Sequence, residues 1–146
     1  MVYDFSNIDP NNEKDIKKLA EDRMKYSNCK SRKVGCVIVL DGCIVGLGSN
    51  QPPLGMECEV SCRKKLGGVC YAIHAEVDAI VDAANKGIED LSGAILYTSN
   101  VIPCVDCQKM LFLHDIREVV CAKLEFYDGA DLFWKMGAIN FREYKL

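Results

Sequence analysis

The chemistry-bearing residues of this sequence lie in two short motifs, His74-Ala75-Glu76 and Cys104-Val105-Asp106-Cys107. A Cys-x-x-Cys at the start of a helix places two thiols at i and i+3 on one face, from which both sulfurs reach one metal ion. Alone, that pair would equally suit a thioredoxin-like redox couple or two unrelated cysteines. His74-x-Glu76, which opens a second helix, decides for the metal. One imidazole and two thiolates are three ligands of a tetrahedral zinc site with the fourth position left to water, the arrangement of a catalytic rather than a closed structural site. Two thiolates cancel the charge of the ion, and two helix N-termini add partial positive charge that favours thiolate and hydroxide. Glu76 is not needed as a ligand and is placed to take a proton from that water and hand it on. The expected chemistry is metal-assisted hydrolysis.

The elements that must position these motifs follow from periodicity. Ile16, Leu19, Ala20 and Met24 repeat at helical spacing behind Asp9-Pro10-Asn11-Asn12, predicting an amphipathic helix over 13–26. Val34 to Leu40 and Cys43 to Gly48 are β-rich runs joined by Asp41-Gly42, which predicts an antiparallel hairpin. Residues 49–71 carry Pro, Gly and Cys without a period and read as a long functional loop. A helix over 74–86 stopped by Gly87, a strand Ala94 to Thr98, a helix over 104–114 opened by Pro103, a strand Glu118 to Cys121, a helix over 129–136 and a strand Ala138 to Phe141 complete the pattern. The predicted fold is α/β, a three-layer α/β/α sandwich around a mixed sheet of about five strands, in one domain over 1–146 with no repeat.

Composition narrows the function. At 146 residues and 49% hydrophobic content the chain can bury one core. It has no run of the roughly 18 to 20 apolar residues needed to span a bilayer and an acidic, polar start, so a soluble, cytoplasmic protein without membrane partners is expected. A net charge of -3 without a basic stripe disfavours a polynucleotide partner and favours a small molecule. Nine cysteines, an odd count without a secretory signal, argue for metal ligation over disulfides. Cys36, Cys43 and Cys121, inside apolar runs, read as small buried hydrophobes. His114 reads as a partner of its helix's C-terminal dipole.

H-x-E followed by P-C-x-x-C is the signature of zinc nucleobase deaminases, in which hydroxide attacks C4 of cytosine and ammonia leaves. With RKVGCVIV (32–39), GSNQPPLG (48–55), IHAEVDAI (73–80) and LYTSNVIPCVDC (96–107), the sequence resembles the cytidine/deoxycytidylate deaminase family over most of its length. The long Cys-bearing stretch between Asn50 and His74 is most similar to the deoxycytidylate (dCMP) branch, which implies zinc-dependent conversion of dCMP to dUMP and ammonia. The resemblance further implies that Asn50 contacts the sugar hydroxyl and the Ala75 backbone the base. It also implies a homo-oligomer, commonly a hexamer, under allosteric control by dCTP and dTTP. Asn50 read by itself is a turn residue before Pro52-Pro53. Arg32, with Lys33, is the candidate phosphate contact, against a reading of both as solvated surface.

The family pattern is broken at Asp78, where relatives have Asn, at Gln51 in place of Gly, at Tyr26 in place of Arg, and at Cys121 where many carry Tyr. Other deaminase substrates, a nucleoside, a modified pyrimidine or a base in RNA, are the alternative class; a non-catalytic zinc-binding protein is the third, and the presence of Glu76 weighs against it. Four further thiols, Cys29, Cys58, Cys62 and Cys70, could close a second, structural zinc site that orders the long loop. The resemblance implies such a site in some dCMP deaminases. The plain alternative is four reduced, unliganded cysteines.

Overall fold

The computed structural model describes residues 5, 7–29, 32–53, 70–127 and 129–146. Cys58 and Cys62 lie outside the described residues.

The first helix, α1 (Glu13–Arg23), starts where Asn12 accepts the Lys14 and Asp15 backbone N–H groups at 3.0 and 3.4 Å. Glu13 and Asp15 add negative charge to its first turn. The helix expected to run to residue 26 tightens at Met24–Tyr26 into a 3-10 turn, a common way for a helix end to satisfy its last carbonyls.

Strands β1 (Gly35–Leu40) and β2 (Cys43–Ser49) form the predicted hairpin. Asp41 and Gly42 both take positive φ, 50° and 75°, the backbone a two-residue turn requires if it is to follow the right-handed twist of the strands. Helix α2 (Ala75–Asn85), strand β3 (Ile95–Thr98), helix α3 (Val105–Leu113), strand β4 (Glu118–Cys121), the short helix α4 (Leu132–Lys135) and strand β5 (Asn140–Glu143) follow. The sheet order is β2-β1-β3-β4-β5; β1 is antiparallel to both neighbours, while β3, β4 and β5 run parallel.

The predicted mixed five-stranded sheet is thus present, with α1 on one face and α2 and α3 on the other. Alternation along the strands sorts the core. Val37, Val39, Tyr97 and Val120 pack with Ile16 and Leu19 of α1. Cys36, Ile38, Leu96 and Val119 pack with Ala79, Ile80 and Leu111 on the opposite side. Period-two alternation between two helical layers buries both faces of the central strands, so β1 reads as one apolar run. Cys36 and Cys121 are fully buried as expected. Cys43 is exposed, a correction to its reading as a core hydrophobe, because it is the first residue after the hairpin turn on the outermost strand.

Two elements depart from the sequence expectation. The helix expected over 129–136 is confined to Leu132–Lys135, since Gly129 takes φ 78° and Ala130 N–H closes a turn onto Tyr127 O at 2.7 Å. Its C-terminal cap then consumes Gly137 to Ile139, with Ala138 and Ile139 N–H both donating to Phe133 O. The last strand therefore begins two residues later than the expected Ala138. At the base of the long segment, Gln51 and Ile73 exchange backbone hydrogen bonds of 3.1 and 2.7 Å. No described helix is long and apolar enough to cross a membrane.

Candidate metal centre and active site

The carboxyl ends of β2 and β3 and the amino ends of α2 and α3 meet at one end of the sheet, where α/β proteins gather ligands. Helix α2 reaches that place because it lies directly on β2. A Cβ at Gly46 or Gly48 would run into the main chain of Ala75 or Ala79, so only glycine permits the approach.

His74 and Cys104 are the N-cap residues of α2 and α3, in extended backbone, and neither side chain caps its own helix. The side chains turn to each other instead. His74 Nδ1 lies 3.2 Å from Cys107 Sγ and 3.4 Å from Cys104 Sγ. All three donor atoms fall within 4.8 Å of one another, and this is the one such group among the described residues. One imidazole nitrogen and two sulfurs fit zinc by donor type, and two helix N-termini facing them favour the thiolate form. The Cys104 thiol is pulled down to about 4, chiefly by its hydrogen bond with Cys107 and further by His74. The same pairing and burial hold the proton on Cys107, whose thiol is pushed far up.

Glu76 follows on the first turn of α2 and is 7% exposed. Burial raises its carboxyl above the usual range, so it holds a proton more readily than a surface glutamate. From the sheet, the Cys36 thiol comes within 3.8 Å of Glu76 Oε1. That contact was invisible in the sequence, where Cys36 reads only as a core residue; nothing but the register of β1 under α2 reveals it.

A cavity of about 510 Å³ opens over these groups, a size suited to a small metabolite. His74, Ala75, Glu76 and Cys104 form its floor side, and Arg32, Asn50 and Tyr127 are among its walls. Ala75, as the first residue of α2, has an N–H without a partner inside the helix. Asn50 does more than turn the chain. Its Oδ1 accepts the Val34 N–H and lies 2.7 Å from the Ser27 hydroxyl, and its Nδ2 donates to Arg32 O at 2.6 Å. It thereby ties Ser27, Arg32 and Val34 together along one wall. Arg32 lies on the cavity, whereas Lys33 donates to Ser27 O at 2.9 Å and does not line it. Tyr26 is half exposed and stacks against Arg23, whose guanidinium is 4.3 Å from the ring centre. Cys29 and Cys70 both line the cavity. His114 is the C-cap of α3, away from the donor group. Asn100 and Tyr127 are cavity residues that the sequence reading did not single out. Asn100 lay within a quoted motif; Tyr127 sits in the aperiodic stretch after β4, where only its aromatic type could have drawn notice.

Residues 10–123 match the family described as the cytidine and deoxycytidylate deaminase zinc-binding region. The chain is 33% identical over 110 residues to the deoxycytidylate deaminase of Mycobacterium phage D29, covering 66% of this chain and 83% of the phage protein. It is 34% identical over 107 residues to that of Schizosaccharomyces pombe, covering 66% of this chain and 32% of the yeast protein. Among solved structures, the dCMP deaminase of cyanophage S-TIM5 in apo form superposes with a TM-score of 0.71 at 30% identity, over 90% of this chain and 95% of that one. The same cyanophage enzyme in complex with dCMP and dUMP superposes with a TM-score of 0.71 at 28% identity, over 87% and 92% of the two chains.

Proposed function

Because this chain belongs to the cytidine and deoxycytidylate deaminase zinc-binding family, we propose that it hydrolyses dCMP to dUMP and ammonia, with zinc held by His74, Cys104 and Cys107 and protons carried by Glu76. The observation that carries this reading is the convergence of one imidazole nitrogen and two sulfurs within 4.8 Å at a cavity of about 510 Å³. Zinc held by His74, Cys104 and Cys107 would supply a water whose pKa is lowered toward neutrality. Glu76 would take one proton from the water as its oxygen bonds to C4 and deliver it to the ring nitrogen, where it stays, then take the remaining hydroxyl proton and deliver it to the amino group as the C4–N bond breaks, leaving a C4 carbonyl and ammonia. Its burial suits both halves of this task, because a carboxyl with a raised proton affinity is a better acceptor than a surface one and still lets the proton go.

Substrate placement falls to the cavity walls. The Ala75 N–H, which has no partner within its helix, is offered to the pyrimidine carbonyl, Asn50 to the sugar, and Arg32 to the phosphate. The dCMP-type relatives support the monophosphate, and Arg32 on the wall supplies its counter-charge. A second, structural zinc through Cys29, Cys58, Cys62 and Cys70 is part of the same reading; its support is that Cys29 and Cys70 flank one cavity. A homo-oligomer rests on the family likeness. Thiolate ligands call for a reducing compartment, the cytoplasm. Control by dCTP and dTTP rests on the family likeness.

The test is ammonia release from dCMP, deoxycytidine and an RNA hairpin loop measured side by side on zinc-loaded protein. A charge-assisted phosphate contact predicts that kcat/KM for dCMP exceeds that for deoxycytidine by about tenfold to a hundredfold. Equal values would make this a nucleoside or modified-base enzyme.

A further inference from the structure

Strand β2 is an outer strand of the sheet, and the backbone N–H groups on its free side need acceptors. Two carboxylates of α2 supply them. Asp82 Oδ2 accepts the Leu47 N–H at 2.8 Å, and Asp78 Oδ2 accepts the Ser49 N–H at 3.0 Å. The spacings match. Carboxylates four residues apart on a helix are about 6 Å apart along its axis, and N–H groups two residues apart on a strand are about 6.8 Å apart. With Gly46 and Gly48 removing the side chains between them, the helix packs on the face of β2 closely enough for its carboxylates to reach these N–H groups.

The two bonds differ in what they connect. Asp82 is also held by Lys86 at 2.6 Å and joins the middle of the helix to the middle of the strand. Asp78 joins the site to itself. Its own N–H donates to His74 O at 3.0 Å, and the N–H it accepts belongs to Ser49, next to Asn50. The carbonyl of Asn50 is in turn 2.6 Å from the Ser27 hydroxyl, so the segment bearing Arg32 is tied to the same point. One side-chain oxygen thus sets the separation between the metal-binding mouth of α2 and the cavity wall.

We propose that Asp78 is a positioning residue that holds the Asn50 wall at working distance from the α2 mouth, acting as a hydrogen-bond acceptor and not through its charge. Asparagine carries the same oxygen at the same place. The substitution of Asp for the family's Asn therefore leaves this device intact, which accounts for a departure that the proposed chemistry does not use. The inference rests on the reading of this cavity as the dCMP site.

The experiment compares Asp78→Asn, Asp78→Ala and Asp82→Ala in zinc-loaded full-length protein, by amide hydrogen exchange of residues 43–53 and by steady-state kinetics on dCMP. Asp78→Ala should speed exchange at Ser49 while Leu47 keeps its protection, and should raise KM for dCMP about five- to tenfold with a smaller change in kcat. Asp78→Asn should restore both. Asp82→Ala should expose Leu47 and lower the melting temperature with KM unmoved. Equal rises of KM in Asp78→Ala and Asp82→Ala would reduce the effect to general loosening and overturn the proposal, as would an Asp78→Asn protein no better than Asp78→Ala. Amide exchange needs no turnover, so an unprotected Ser49 in the wild type refutes the clamp whatever the substrate proves to be, while protection at Ser49 with no dCMP turnover tells against the substrate alone.

Discussion

The two faces of the sheet are closed by different means. On the α1 face the charges around the last strand meet partners from the protein. Arg142 of β5 lays its two terminal nitrogens on the Glu13 carboxylate at 2.9 and 2.6 Å and its Nε on Glu118 at 2.9 Å, and Tyr144 donates to Thr98 O at 2.9 Å. On the α2/α3 face, the polar groups nearest the core, His74, Glu76, Cys104 and Cys107, converge on each other around a space. The buried Gln108 Oε1 on the same face has no hydrogen-bond partner among the described residues, and on the α1 side the same holds for Arg23 Nε. Stability on the first face comes from completed pairs. Chemistry on the second comes from groups assembled for something the chain does not itself supply, so mutations on the two faces should separate activity from stability.

The largest separation is expected from the metal ligands. Cys104→Ser or His74→Ala should remove zinc from the centre and deamination with it, read by elemental analysis and ammonia release. Metal-free wild-type protein that remains an active deaminase would break the assignment. Glu76→Gln comes next: zinc content and melting temperature stay, while kcat falls by about 10² to 10⁴. On the other face the ranking inverts. Arg142→Met should cost about 1.5 to 3 kcal/mol in denaturant unfolding, because Glu13 and Glu118 lose their shared cation, with kcat for dCMP unchanged.

An acid titration sharpens the same contrast. The Glu13 carboxyl is held below its ordinary 4.5, first by the hydrogen bonds of Arg142, against a desolvation that pushes it up. A depressed folded-state value means that this stabilisation is complete above the unfolded value and is lost as pH falls through the folded one. The stability gap between wild type and Glu13→Gln should therefore be full near neutrality and close as pH falls below the ordinary 4.5 through the depressed folded-state value. The smallest effect belongs to Cys36→Ala, which removes the thiol at 3.8 Å from Glu76 and should lower kcat a fewfold, about what a weak hydrogen bond contributes, with KM unchanged and Cys36→Ser intermediate.

Legibility in the sequence followed how local each cause is. Strand β4 carries the predicted boundaries because Val119 and Val120 are buried on opposite faces and the apolar run has polar neighbours on both sides. The hairpin was legible because Asp41-Gly42 encodes its own backbone angles. The metal centre was legible because its three ligands sit in the opening residues of two helices, where short motifs fix geometry. What failed to show is set by register between distant segments. The late start of β5 depends on a cap formed with Phe133, the wall role of Asn50 on Ser27 and Arg32 finding it, and the place of Tyr127 on a turn closed by Ala130. Cys43 looked like its neighbours by type and differs only because the chain has just emerged from a turn on the outermost strand.

The reciprocal pair of Gln51 and Ile73 has a consequence for how such a protein can change over generations. It closes the base of the segment between Pro52 and Ala72, so Asn50 on one side and His74 on the other keep their places independently of that segment's length. Doubling a closed loop adds only about 0.6 kcal/mol of closure entropy. Insertions and deletions between the two residues are therefore nearly neutral for the catalytic geometry, and lineages are free to try new ligands, partners or metal sites there without first relearning the reaction.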